Sequence, residues 1–196
     1  MNKVATLIIG FVLGGFVVGG AIYLSDSQDD STSGLMQQTP TVAVATPVTE
    51  ADELRIDGLG SMTIGMRAND VERATGMKVD ISPDFCPQCR YGQLVGGPRD
   101  LFLMFNRRVL VRIDIGTESP IETDTGIGVG DPISEVEDAY GDELEHELHP
   151  YLGDRGSYLI FDPEPDFLII FETNRRSVTS FRSGFDEQVR YIEGCA

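Results

Sequence analysis

The sequence predicts an α+β protein: two tandem units, each a short helix followed by an antiparallel meander of strands, behind an N-terminal transmembrane helix. Three observations carry this expectation. An uncharged, apolar stretch runs from Val4 to Leu24. A glycine-bounded amphipathic segment occurs twice, at 64–76 and 129–141. After each copy, apolar runs of about five residues are bounded by turn residues, the length and punctuation of strands.

At helical rise, Val4–Leu24 is long enough to cross about 30 Å of hydrocarbon. Lys3 and the amino terminus precede it and Asp26, Asp29 and Asp30 follow it, so the basic side is expected in the cytoplasm and the remainder outside. The small residues Gly19 and Ala21 also suit a peptidase cut after Ala21. The expectation is a single-pass cell-membrane protein with its C-terminal domain outside the cytoplasm, the alternative a secreted or periplasmic protein after cleavage near Ala21. No cysteine lies near this junction, which excludes a lipoprotein anchor. Residues 25–50 are rich in Ser, Thr, Gln, Pro and Asp and read as a disordered linker, with folded structure beginning near Leu54. The division is therefore anchor or signal peptide 1–24, linker 25–50, first unit 51–119 and second unit 120–196.

The second amphipathic copy sits in "GIGVGDPISEVEDAYG", 126–141. Its glycines do not make a phosphate cradle, because a P-loop needs a Lys and a Ser or Thr where this chain has Asp131 and Pro132. A dinucleotide fingerprint needs a long helix that carries its third glycine, and here the helix already ends at Gly141. As a helix start the stretch reads well: Asp131 caps, Pro132 takes the first helical position, and Gly141 makes the left-handed stop. Ile133, Val136 and Tyr140 then share one buried face. Upstream, "IGMRANDVERATG" lays Gly65, Val71, Glu72, Ala74 and Gly76 on Gly130, Val136, Glu137, Ala139 and Gly141. The strand regions also correspond: "LFLMFNRRVLVRIDIG" (101–116) runs parallel to "FLIIFETNRRSVTSFRSG" (167–184), with a shared Asn-Arg-Arg. Two copies at this long period make a tandem domain rather than a solenoid.

Thirty-two acidic residues against fifteen basic ones leave a net charge of -17. Such a chain is repelled by phosphate backbones, which argues against nucleic acid as a partner.

The cysteines are Cys86, Cys89 and Cys195. Outside the cytoplasm thiols oxidise. A redox pair in "CPQC" would need a thiolate at a helix N-terminus, but Cys89 leads into "RYGQLVGG", which reads as strand and turn. Cys195 sits where chains fray unless tied down, so it is expected to bond one of the pair, Cys89 for its place in a strand, with Cys86 the alternative. His146 and His149 in "DELEHELHPY" would face opposite ways on a strand and lack a further ligand set, so no metal site is expected. "DPEPD" (162–166) lacks the spaced ligands of a calcium loop and reads as a hairpin turn.

The pattern Ile-Gly-Met…Asp-Val-Glu-Arg-Ala-Thr-Gly, then a meander, then Val-Gly-Asp…Glu-Val-Glu-Asp-Ala-Tyr-Gly resembles the tandem helix-plus-meander repeat of β-lactamase-inhibitory proteins. A single copy is similar to the unit of small outer-membrane-assembly lipoproteins. The ending "FRSGFDEQVRYIEGCA" looks more like a group of uncharacterised exported bacterial proteins. The resemblance covers about Leu54 to Ala196. It implies two units whose sheets join edge to edge, and an extracytoplasmic place; it carries over no inhibitor residues.

No nucleophile, base and orienter converge in the sequence, so the function expected is non-enzymatic: a cell-envelope binding protein without cofactor, a monomeric domain contacting an envelope protein or wall component through a sheet face. Val109, Val111, Ile113 and Ile115 alternate with Leu110, Arg112 and Asp114, which puts the first set on the core face. Arg112 and Asp114, with Ser180 and Arg182 from the corresponding strand, are the candidate binding patch. The alternatives are a thiol oxidoreductase using Cys86 and Cys89, a metal-dependent enzyme around His146 and His149, or a structural envelope spacer.

Overall fold

The computed structural model describes residues 44–83 and 88–195. Three two-residue strands, β1 (Leu54–Arg55), β2 (Gly58–Leu59) and β3 (Met62–Thr63), pair into a small antiparallel sheet. Helix α1 (Ala68–Thr75) leads into β4 (Val79–Ile81), β5 (Cys89–Leu94), β6 (Leu101–Asn106) and β7 (Val109–Ile115). Helix α2 (Ile133–Tyr140) leads into β8 (Leu144–His149), β9 (Gly153–Glu164), β10 (Phe167–Asn174) and β11 (Val178–Phe185), and a four-residue helix α3 (Asp186–Val189) follows. Strands β4 to β11 form one antiparallel sheet in the order β4-β5-β6-β7-β11-β10-β9-β8.

This corrects the predicted class. The protein is mainly β, an eight-stranded sheet with a three-stranded one beside it. Its helices are minor because each amphipathic segment is closed at both ends by a positive-φ glycine and stops at eight residues. The expected transmembrane helix is not found among the described residues either. Val4–Leu24 falls outside the described residues, and no helix among those described is long and apolar enough to cross a membrane. Eight residues span about 12 Å, against about 30 Å of hydrocarbon.

Backbone hydrogen bonds explain why the paired glycines recur. Before α1, Gly65 N donates to Leu110 O (2.8 Å), Leu110 N to Met66 O (2.8 Å) and Ala68 N to Arg108 O (2.9 Å). Before α2, Gly130 N donates to Val178 O (2.9 Å), Val178 N to Asp131 O (2.9 Å) and Ile133 N to Arg176 O (3.1 Å). Each helix thus starts clamped to the second hairpin after it, β6–β7 for α1 and β10–β11 for α2, and the clamp turns on a glycine at φ 95° or 102°. Asp131 does not cap α2 as expected. Pro132 holds the capping position, because the helix begins one residue later than the sequence suggested, and the Asp131 carboxylate accepts from Gly128 N (2.7 Å), closing the preceding turn.

Both faces of the large sheet are covered. On one, Val71 of α1, Val136 and Tyr140 of α2, and Leu54, Leu59 and Met62 of the small sheet bury Leu103, Phe105, Ile113, Leu159, Phe171 and Phe181. Tyr140 packs its ring 4.5 Å from Phe161 and 5.4 Å from Phe171. Val48 belongs to the same core and Thr46 N donates to Ala74 O (2.8 Å), so packing starts upstream of Leu54. On the other face Tyr158, Ile160, Leu168 and Ile170 cluster with Val189 of α3. The expected alternation along β7 is broken: Met104 pairs with Arg112 but Phe105 with Leu110, which leaves Val111 as a bulge. The extra residue moves Leu110 into the main core with Ile113 and Ile115.

A side chain at Gly130 would meet nothing within 4 Å, so Gly130→Ala isolates the cost of its dihedral. Urea unfolding should show a loss of about 1–3 kcal/mol with unchanged m-value.

Candidate functional site beside the C-terminal strap

Strand alternation puts Arg112, Asp114 and Arg182 on the face opposite the main core, with Asp114 and Arg182 directly opposed across the β7–β11 pair. That face is not left to solvent. Beyond β11 the chain forms α3 and then runs back across the sheet as a strap, 190–195, whose end is the Cys89–Cys195 disulfide. The last carbonyls of a helix have no partner within it. Here the two arginines supply the donors. Arg112 Nη1 donates to Gln188 O (3.0 Å) and Tyr191 O (2.8 Å), and Arg182 Nε to Val189 O (2.7 Å).

Each guanidinium is then neutralised on its own side. Arg112 meets Asp114 through Nε (2.8 Å) and Nη2 (2.6 Å), and Nη2 also donates to Tyr91 Oη (2.8 Å). Arg182 pairs with Glu172 and lies 5.2 Å from the centre of the Tyr158 ring, its Nη2 having no hydrogen-bond partner. Both arginines are only 4% exposed. Burial pushes the Tyr91 phenol up to about 12, and the neighbouring Asp114 charge adds to this. Burial also opposes the Arg112 charge, yet the Asp114 carboxylate more than offsets it and its affinity for the proton rises.

The predicted patch is therefore corrected. Arg112 and Arg182 are buried anchors of the strap, Asp114 is occupied by Arg112, and Ser180 is half-buried opposite Glu172. Cys86 lies outside the described residues. His146 and His149 project to opposite sides of β8, one 3.7 Å from Glu137 of α2 and the other 3.7 Å from Glu172. The His149 Nδ1 accepts from Tyr151 N (3.1 Å) and Leu152 N (3.3 Å), so the neutral ring carries its proton on Nε2, toward Glu172. Pro165 and Asp166 close the β9–β10 hairpin within "DPEPD".

Beside the strap lies a cleft of about 320 Å³, lined by Leu148, Pro150, Tyr158, Ile160, Ile170 and Ile192, with Glu147 and Arg190 as its charged members. Arg190 is held by Asp186 (2.5 Å) and Asp162 (3.1 Å). Leu148 is 73% and Ile192 46% exposed, and Tyr151 stands open nearby with its hydroxyl on Glu193. The cleft adjoins β8, which ends the sheet and turns Glu145 and Glu147 to solvent. Sequence reasoning missed this cleft because its walls come from β8, β9, β10 and the strap. Leu148, set between Glu147 and His149 in "LEHELH", was the signal in the sequence.

No family model matches the chain, and no curated protein sequence matches it. Among solved structures it is similar to the uncharacterized protein YfeY from Escherichia coli, at 14% identity and a TM-score of 0.45, over 67% of this chain and 99% of that one.

Replacing Cys195 with Ser frees a strap closed over a separation of 106 residues and should lower stability by about 2–5 kcal/mol in urea unfolding. Tyr91 binds its proton more tightly when folded than unfolded, so its contribution is complete below pH 10 and is lost as pH rises toward about 12. Burial raises Tyr140 and Tyr158 in the same direction. Unfolding across that window should show stability falling with pH, and Tyr91→Phe should flatten the fall without removing it.

Proposed function

We propose that this protein is a non-enzymatic binding protein of an oxidising, extracytoplasmic compartment, and that it takes an extended segment of a partner protein along the β8 edge. The observation that carries the reading is the meeting of an open strand edge with an apolar cleft beside the exposed Leu148. An edge strand offers unpaired backbone donors and acceptors for an added strand, and a pocket beside it selects one side chain of that strand. Charge narrows the partner. Asp142, Glu143, Glu145 and Glu147 are exposed or half-exposed along this edge, which suits an apolar anchor flanked by Lys or Arg. The same charges keep two copies of β8 from pairing. The disulfide supports the compartment, since such bonds persist where thiols are oxidised. The titratable groups gathered on this face, Arg112, Asp114, Arg182 and Glu172, are occupied with each other and with the strap, which supports binding over catalysis.

A library of immobilised extended peptides tests this. The native protein should enrich sequences with one large apolar residue between basic ones. Leu148→Asp should weaken binding at least about tenfold, because it sets a charge against the apolar residue the partner brings to the cleft, without lowering the thermal midpoint. Enrichment of no such sequence, or binding indifferent to Leu148→Asp, would sink the reading.

A further inference from the structure

The β6–β7 hairpin carries an arrangement its backbone does not ask for. Asn106 pairs with Val109, so Arg107 and Arg108 form a two-residue turn, at φ 47° and 68°. A turn with both central residues in the left-handed region favours Asn-Gly, because side chains with a Cβ are strained there. Two arginines in succession are a poor choice for the turn itself. The Asn-Arg-Arg of the β10–β11 hairpin makes the contrast: Arg175 and Arg176 keep negative φ, and Arg175 pairs with Asp154 at 3.3 Å.

In the first hairpin the charges are gathered instead of neutralised. Arg90, Arg107 and Arg108, with Ile81 and Phe105, line a cavity of about 310 Å³. Arg90 Nε is buried there without a hydrogen-bond partner. Arg108 is steadied by Asn69, which accepts from its Nη2 at 3.1 Å, and Arg107 N donates to Gln88 O at 2.8 Å, tying the turn to the approach to β5. The backbone of Arg67 bridges Val109 and brings a fourth arginine to this end of the sheet. Among the described residues none of the three lining arginines has an ion pair. Of the α1 carboxylates, Asp70 pairs with Arg73 (2.8 Å) and Glu72 with Lys78 (3.3 Å), while the Arg108 charge reaches Glu72 only as a weaker, unbonded attraction. In a chain of net charge -17, three guanidiniums that line one hollow without an ion pair among the described residues are the reverse of what overall composition provides.

We propose that Arg90, Arg107 and Arg108 bind a terminal phosphate monoester whose organic part rests against Ile81. A carboxylate satisfies one guanidinium fork. A phosphate monoester presents three acceptor oxygens and close to two negative charges at neutral pH, which matches three arginines that line one cavity. The site is independent of the β8 cleft. The phosphate could be carried by a soluble metabolite or by a lipid headgroup, the recognised chemistry being the same.

The full chain is titrated calorimetrically with phenyl phosphate, and separately with benzoate. The variant is Arg107→Asn with Arg108→Gly, which gives the turn the residues its backbone prefers and leaves the Arg108 carbonyl in place to receive Ala68 N. Phenyl phosphate should bind one per chain, and benzoate at least about tenfold more weakly. The variant should keep or raise the unfolding midpoint and lose at least about tenfold in phenyl phosphate affinity. The Arg90 Nε–H resonance should shift on binding in the native protein. Cosedimentation with phosphatidylcholine vesicles that contain phosphatidic acid, absent with phosphatidylcholine alone and lost in the variant, identifies a lipid source; phenyl phosphate binding without it identifies a soluble one. Absence of phenyl phosphate binding, equal affinity for benzoate, or binding that the variant retains overturns the proposal. So does a variant that is clearly less stable, since the arginines would then serve the turn.

Discussion

Two guanidiniums buried beneath the C-terminal strap govern how this structure closes. Moving an arginine out of water is costly unless its charge is paired and its N–H groups find acceptors. Arg112 meets both conditions through Asp114, Tyr91 and the carbonyls of Gln188 and Tyr191. Arg182 meets them through Glu172, the Val189 carbonyl and the Tyr158 ring, with only Nη2 left over. The strap in turn needs the arginines, because a four-residue helix has more unpaired carbonyls than internal hydrogen bonds. Donors from the sheet and acceptors from the strap are each other's solution, and the Cys89–Cys195 bond holds them in register.

This closure determines where other molecules gain access. Were the strap absent, β7 and β11 would offer a charged central surface. With it in place the centre is sealed, and open features move to the margins: the β8 edge with its cleft, and the arginine-lined hollow at the β6–β7 turn. These margins differ in chemistry. The first is apolar with an acidic border, the second cationic, so the two suit different ligands.

Much of the local structure was legible in the residues. Val71 and Val136 mark the buried stripes of α1 and α2, and the glycines on either side bound them. The apolar runs 101–106 and 167–174 are the strands β6 and β10. The shared Asn-Arg-Arg marks a hairpin in each half, although identical residues there adopt opposite signs of φ. Where the reading failed, the deciding contact was distant. Asp131 was assigned to the helix after it and serves the turn before it. The alternation along β7 was miscounted because a bulge at Val111 depends on pairing with β6, which no single-strand pattern encodes. Arg112 and Arg182 were assigned to a surface because charged residues on a strand face usually meet water, and nothing in their own strands announces a strap.

By itself the sequence determined the elements with short-range causes: helix stripes at steps of three and four, glycines at positions of positive φ, strands from apolar runs, and a net charge of -17 that sets the protein's solution behaviour. Tertiary structure alone decided that the strands outweigh the helices and make the protein mainly β, that Glu172, Tyr91 and the α3 carbonyls gather around two arginines, and that Arg90 joins Arg107 and Arg108. The physical reason is range. Dihedral preference and periodicity act within a few residues, whereas burial of a charge is settled by whichever groups, dozens of residues away, arrive to share its hydrogen bonds.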